Sequence, residues 1–373
     1  MTILHLIGTS EFAGTEQMVL TIGQGQVERG HRVYVMTRER GKVAEYVQDQ
    51  GLKVVEPKIG PALAPFRLAK VARELGVNVF HSHLTSGTHV ANATSVLTGI
   101  PVVDHLHVYS KDISHRVAAR RGCLVAVSKS VKEFYVENSG VNPDRIHVVL
   151  NGSSIVRDPD SRMSRDLARE VVAEELKLPS TTRFVTIAAR ITHQKGQDLF
   201  VRAAELLAEK LPDVHFLMVG SAEDPVYANE IYEAVREKGL GNRVSTLGFR
   251  RDIAKLLRAS EVACVPSRFD PFPLSSLEPM LVGTPLVAAR VGGIPEALHR
   301  PELGVLVDPD SGDSLAEGIE SLLRDPKWAS CIAENAQNEA NRRYSVDAML
   351  DQIEAVYARV TGPHGQLGAQ SAR

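Results

Sequence analysis

The feature that most restricts the fold of this chain is the alternation of short apolar runs with amphipathic segments of helical length. Ile3–Ile7, Arg32–Thr37, Lys53–Glu56, Val77–His81, Pro101–His105, Leu124–Val127 and His147–Leu150 read as strands. Thr15–Arg29, Lys42–Gln50, Phe66–Leu75, Thr88–Leu97 and Ser130–Asn138 read as helices between them. Strands that are apolar throughout are covered on both faces, and a strand–helix repeat satisfies that only as a parallel sheet with helices on each side. The pattern stops at Asn151–Arg165, a polar run with Gly152 and Pro159 that reads as a linker. It resumes with strands at Phe184–Ala189, His215–Val219, Val244–Leu247, Val262–Pro266, Pro285–Ala288 and Gly304–Val307. Helices are expected at Gln197–Lys210, Tyr227–Lys238, Asp252–Ala259, Ser276–Val282, Ile294–Leu298, Ser314–Leu323, Lys327–Tyr344 and Val346–Val360. The expected domains are 1–158 and 159–345, followed by a helix over 346–361 and a disordered Gly/Gln/Ser tail over 362–373. Doubly wound domains bind ligands at the carboxyl ends of their strands, so the expected site is a cleft between the two.

At 373 residues the chain is long enough for two cores. A net charge of −2 argues against a nucleic-acid partner. The charge is uneven: 1–158 carry +4 and the remainder −6. Three widely spaced cysteines, Cys123, Cys264 and Cys331, form no disulfide framework or metal spacing, which suits a reducing cytoplasm. Neither a secretory signal nor an apolar run of about 20 residues is visible, so any membrane contact is expected to be peripheral.

The strongest chemical signal is the stretch Pro266–Glu296. A strand ends at Pro266, a proline-rich loop follows, and a helix is expected to begin near Ser275 or Ser276. Helix N-termini present unpaired N–H groups and a positive dipole end, which suit phosphate. Asp270 and Glu278 bracket this start, with Glu278 expected in the first turn, and could accept hydrogen bonds from sugar and ribose hydroxyls. A solvated loop acid and an N-terminal glutamate account for the pair equally well on physics alone. Arg190 and Lys195 follow the first strand of the second domain, where two cations can clamp a diphosphate. Gly8–Gly14 follows the first strand of the chain, but the spacing of a dinucleotide fingerprint is absent and no acid ends the second strand. His81/His83 and His105/His107 are pairs at strand spacing, each on one face. That spacing admits a metal, but no carboxylate or cysteine stands at ligand spacing nearby, and the reading adopted is a site without metal.

Taken together these stretches resemble the retaining glycosyltransferases of family 4, which have the GT-B fold. Asp270, seven residues and Glu278, then Gly283-Thr284-Pro285 and Gly292-Gly293-Ile294-Pro295-Glu296, match the family's signature. Asp270 replaces the usual glutamate, and Pro271 and Pro273 stand where glycine is usual, each removing an N–H donor. Arg190 to Gly196 matches the family's Arg…Lys-Gly element, and Gly14-Thr15-Glu16 its Gly-Gly-x-Glu loop with Ala13 for one glycine. His107, six residues after Pro101, matches its cleft histidine.

The resemblance implies two doubly wound Rossmann-like domains facing a cleft, with the last helix crossing back to the first domain. It implies His107, Arg190, Lys195 and Asp270 as catalytic residues. Gly14, Arg190, Lys195, Asp270, Phe272, Leu274, Ser275 and Glu278 would hold the donor, and Thr15, Glu16 and His83 the acceptor. The co-substrate would be a UDP- or GDP-linked sugar, with no cofactor and no metal. The acceptor would be a glycan or lipid-linked hydroxyl in cell-envelope polysaccharide or glycolipid synthesis. The place expected is the cytoplasm, at the inner face of the plasma membrane. The basic run Lys111–Lys132 would meet anionic lipid or a phosphorylated acceptor, although an ordinary solvated helix face explains it as well. The rival readings are a GT-B epimerase or hydrolase, a non-catalytic sugar-nucleotide binder and, disfavoured by the missing fingerprint, an NAD(P)-dependent oxidoreductase.

Overall fold

The computed structural model describes residues 1–8, 14–37, 42–56 and 63–362. The chain divides into two compact units, one of Met1–Gly152 with the segment from Val346 onward, the other Ser153–Ser345. The tail expected to be disordered lies outside the described residues, apart from Gly362.

The first unit runs β1 (Thr2–Ile7), α1 (Gly14–Glu28), β2 (Arg32–Met36), α2 (Lys42–Asp49), β3 (Lys53–Val55), α3 (Ala64–Leu75), β4 (Val79–His83), α4 (Leu84–Thr98), β5 (Val102–Leu106), α5 (Ser114–Arg121), β6 (Gly122–Ala126), α6 (Lys129–Ser139) and β7 (Ile146–Val148). Its sheet is parallel, in the order β3-β2-β1-β4-β5-β6-β7. All side chains of β1, β4 and β5 are buried, as expected of strands covered on both faces. The order reverses at β1 and β4, which places the topological switch point beside the ends of these strands.

The second unit runs α7 (Arg165–Glu175), β8 (Arg183–Ala188), α8 (Gln197–Ala208), β9 (Val214–Val219), α9 (Pro225–Glu237), β10 (Val244–Thr246), α10 (Ile253–Ala259), β11 (Ser260–Val265), α11 (Leu274–Val282), β12 (Leu286–Ala289), α12 (Ile294–Ala297), β13 (Val305–Val307), α13 (Gly312–Arg324) and α14 (Pro326–Arg343). Its parallel order β10-β9-β8-β11-β12-β13 reverses at β8 and β11. Residue alternation splits the core in two: Val185, Ile187, Phe216 and Met218 pack with Phe200, Leu207 and Ile319. Phe184, Leu217 and Val219 pack on the other face with Val172 and Leu256. Each such large apolar side chain contributes about 1.5–3 kcal/mol on burial.

The last helix, α15 (Val346–Thr361), belongs to the first unit. It lies along α1, where Gly25 permits the approach: a Cβ there would stand 2.5 Å from Leu350 Cδ1. Arg29 binds Asp347, Asp351 and Glu354 at 3.0, 2.7 and 3.2 Å. No helix among the described residues is long and apolar enough to cross a membrane.

Three expectations need correction. β4 is Val79–His83 rather than Val77–His81, because Ser82 and His83 continue the ladder with β1 and β5 despite their polarity. The basic run Lys111–Lys132 is not one helix face but α5, the buried strand β6 and the start of α6. The helix α7, capped by the Ser164 hydroxyl on the Leu167 N–H, occupies sequence left unassigned beside the expected linker.

Candidate functional site

In the second unit the loops after β8 and β11 leave the sheet at its switch point, and both carry the expected residues. Lys195 closes a short 3₁₀ turn, His193–Lys195, before α8. Asp270 lies in the loop between β11 and α11. The structure joins them: Lys195 Nζ is 2.5 Å from Asp270 Oδ2, with the two side chains only 13% and 7% exposed. The Ser267 hydroxyl donates to the same oxygen at 3.4 Å.

A residue overlooked in the sequence fixes this geometry. Arg268 donates two hydrogen bonds to Asp198, at 2.8 and 2.6 Å, and further ones to the His193 carbonyl and to Asp310. Its N–H donates to the Gln194 carbonyl, and the Gln194 amide donates to the Phe269 carbonyl. The two loops are thereby strapped together around the Lys195–Asp270 pair. The glycine pair supplies a third side. The Gly293 N–H donates to the Asp270 carbonyl at 3.1 Å. Gly292 has φ 51°, and a Cβ there would stand 1.8 Å from the same oxygen, so only glycine fits.

Helix α11 begins at Leu274, earlier than expected, because Pro273 serves as its N-cap residue. Glu278 therefore opens the second turn and not the first. Its side chain is half-buried, and burial pushes its carboxyl up while the Ser153 hydroxyl, 3.2 Å away, opposes this. Leu274 and Ser275 sit half-buried at the helix start, where first-turn N–H groups have no intrahelical acceptor. Phe272 turns inward, 3% exposed and edge-on to Tyr344, so its side chain supports the loop from beneath. Arg190 is half-exposed and ion-paired with Glu223, a partner the sequence reading did not find.

In the first unit the carboxyl ends of β1, β4 and β5 gather five histidines. The register sets His5 beside His81 and His83 beside His105, and the period of two turns all of them, with His107, to one face. Their rings stack at centroid distances of 4.2–5.6 Å. Burial holds His5 and His107 down at about 4 and pushes His81, His83 and His105 well below the usual imidazole range, so all five are neutral at pH 7. His83 was expected to touch an acceptor. It is fully buried, with its ring nitrogens 3.0 Å from His5 and 2.9 Å from His107, so its placement supports the neighbouring rings instead. Leu84, directly after it, takes φ 62°, a backbone state costly for a branched residue and found where surrounding structure imposes it. Gly14, Thr15 and Glu16 form the first turn of α1: Gly14 is exposed, Thr15 half-buried and Glu16 buried. The rest of the loop before them, Ala13 included, lies outside the described residues.

Comparison with known proteins bears on the family and the fold. Residues 12–156 match the model of Glycosyltransferase Family 4, and residues 168–339 that of Glycosyl transferases group 1. D-inositol 3-phosphate glycosyltransferase of Corynebacterium diphtheriae is 27% identical, with 94% of this chain and 90% of that protein aligned. The protein of the same name from Xylanimonas cellulosilytica is 28% identical, with 95% and 93% aligned. Among solved structures, a glycosyltransferase from Rickettsia africae superposes with a TM-score of 0.88 at 21% identity, covering 97% of this chain and 99% of that one. Anabaena Alr3699/HepE in complex with UDP does so with a TM-score of 0.85 at 25% identity, covering 96% and 100%. The two family models together span most of the sequence, the topology is two parallel Rossmann-like sheets, and the chain belongs to the GT-B glycosyltransferases of the family 4 type.

Proposed function

We propose that this chain moves a hexose from a nucleoside diphosphate sugar to a hydroxyl of a glycan or lipid-linked acceptor, with retention at the anomeric carbon and without a metal at the diphosphate. The observation that carries the reading is the buried Lys195–Asp270 pair on strapped loops beside the start of α11. A diphosphate calls for a cation and a sugar for a carboxylate, and the pair offers one of each, which supports the reading.

In this reading the donor diphosphate takes Lys195 from Asp270 and Arg190 from Glu223, and rests on the amides of Leu274 and Ser275. Asp270, released, accepts from sugar hydroxyls, and Glu278 from the ribose. The bond between the anomeric carbon and the phosphate oxygen breaks with its electron pair going to the phosphate. The acceptor oxygen bonds to the same face of that carbon, and its proton passes to the leaving phosphate. Fixed cations and amides aimed at the developing negative charge lower the barrier. His107, Gly14, Thr15 and Glu16 serve the sugar and the acceptor, as the family resemblance implies.

UDP is the first nucleotide to test, because the Anabaena neighbour was solved with it. The names of the curated relatives favour a second acceptor class, a phosphorylated cyclitol. We further propose a cytoplasmic enzyme at the inner face of the plasma membrane, building cell-envelope polysaccharide or glycolipid. Lys111, Arg116 and Arg120 are exposed around Ile113, which is 66% exposed, and this supports a peripheral contact with anionic lipid. Thermal shift against UDP-, GDP-, ADP- and NAD-type ligands tests the donor: no shift with any nucleotide sugar defeats the proposal. Transfer in the presence of chelator to inositol phosphate or to lipid-linked glycans, with the product's anomeric configuration read by NMR, tests acceptor, stereochemistry and metal independence. Sedimentation with neutral and anionic vesicles tests the membrane, equal recovery counting against it.

A further inference from the structure

Of the five histidines of the first unit only His107 has a part in the reaction proposed above, and the hydrogen bonds of all five form one continuous chain. His107 Nε2 meets His83 Nδ1 at 2.9 Å, His83 Nε2 meets His5 Nδ1 at 3.0 Å, and His5 Nε2 meets Gln26 Oε1 at 2.8 Å. On the other branch Gln26 Nε2 donates to the Tyr357 hydroxyl at 3.0 Å, Tyr357 meets His81 Nδ1 at 2.5 Å, and His81 Nε2 meets His105 Nδ1 at 3.2 Å. One amide fixes the direction of both branches. A carbonyl oxygen only accepts, so His5 carries its proton on Nε2, and neutrality then places those of His83 and His107 on Nε2 as well. With Tyr357 donating to His81, the same logic puts a proton on His105 Nε2. That nitrogen is buried and has no partner among the described residues. A buried ring nitrogen with no hydrogen-bond partner is available as a ligand atom.

We propose that His83, His105 and His107 bind one late first-row divalent cation, Zn²⁺ in the first instance, through three imidazole nitrogens, leaving a coordination position open. One nitrogen from each ring lies within 4.8 Å of the others. Tetrahedral zinc with bonds of about 2.0–2.1 Å needs ligand nitrogens roughly 3.3–3.4 Å apart, so the near-parallel rings of His105 and His107 turn out of their stack as the ion binds. Burial keeps all three rings neutral, as a metal requires. Imidazole donors select zinc, copper, nickel or cobalt over magnesium or calcium. The outer nitrogens already have the partners that orient metal-bound histidines: His5 for His83, and His81 for His105. Ligation turns His105 Nε2 into a donor of electrons to the ion and reverses its branch, so the unpaired proton moves from an imidazole to the phenol of Tyr357. His107, alone of the three, is only half-buried. Its Nδ1 then carries the proton. The site shares His107 with the transfer reaction proposed above, whose diphosphate is held by Arg190 and Lys195, and its test reads metal binding and not transfer.

The test uses the full chain, freed of any affinity tag and treated with chelator. Titration with Co²⁺ should give a saturable visible absorption near one equivalent, displaced by Zn²⁺, and Zn²⁺ should raise the thermal midpoint of the chain. H105A and H107A should abolish the absorption, Q26L should weaken zinc by about 10–100-fold, and H147A, on a histidine outside the cluster, should change nothing. Zn²⁺ that neither stabilises the unsubstituted chain nor displaces Co²⁺ overturns the proposal. So does an absorption that survives in an H107A protein of normal circular dichroism.

Discussion

Replacing Asp270 by asparagine would separate two roles that the ligand-free chain ties together. At 2.5 Å, and at an effective dielectric of about 20, the charges of Lys195 and Asp270 attract by roughly 6–7 kcal/mol, much of it offset by the desolvation of both groups. An incoming diphosphate has to take the ammonium from that carboxylate. D270N keeps the shape and removes the competitor, so UDP alone should bind about tenfold more tightly, a gain of about 1.4 kcal/mol. Transfer from the intact donor should fall by about 10²–10³, the usual effect of losing one aimed group in the transition state. The variant also leaves a nearly buried ammonium without its counter-ion. Breaking such a pair costs about 3–5 kcal/mol, which lowers the midpoint of a unit this size by about 6–20 °C, and UDP should restore most of it. Calorimetric titration with UDP and thermal unfolding with and without it decide the matter. UDP binding that is unchanged or weaker in a D270N protein of normal circular dichroism refutes the displacement argument.

Lys195→Ala should lower transfer by about 10²–10³ or more and remove the stabilisation by UDP; turnover near that of the unsubstituted chain would exclude its role at the diphosphate. Gly292→Ala places a methyl 1.8 Å from the Asp270 carbonyl at φ 51°, so it should cost about 1–3 kcal/mol of stability and raise the KM for donor, and unchanged midpoint and KM would contradict the packing described. The histidine cluster makes the first unit acid-labile. Its rings, depressed by burial, stay neutral down to about 4 in the case of His5 and His107, whereas in the unfolded chain they protonate near 6.5. Stability is therefore full above about 6.5 and is lost as pH falls from there toward 4. Thermal midpoints at pH 7.5 and 5 check this, and equal values would show that the rings are not buried as described.

Much of this was legible in the sequence. Apolar strands alternating with amphipathic helices have few architectures open to them, and Gly292-Gly293 and Lys195-Gly196 sit at loop positions that chemistry narrowly limits. Pairing across long sequence distances was not legible. Nothing local marks Lys195 as the partner of Asp270, Arg190 as that of Glu223, or Arg268 as the clamp on Asp198. β4 was misplaced because a periodicity reading ends a strand where polarity begins, and here His81, Ser82 and His83 are polar and fully buried. Their burial makes sense only beside His5 and His105 on neighbouring strands. Helix α7 had a usable signal in Ser164 as N-cap, hidden by the polar run before it.

The return of α15 to the first unit has a consequence for how the chain is made. Gln26 and His81 wait for Tyr357, and Gly25 for Leu350, residues encoded after the whole of the second unit. At about 5–20 residues per second a ribosome needs roughly 10–40 s to pass from Ser153 to Ser345. Through that interval the second unit, continuous in sequence, can finish folding while the first stands with an unfilled groove along α1. The unit made first is completed last, and it is the one exposed to chaperones and proteases during synthesis.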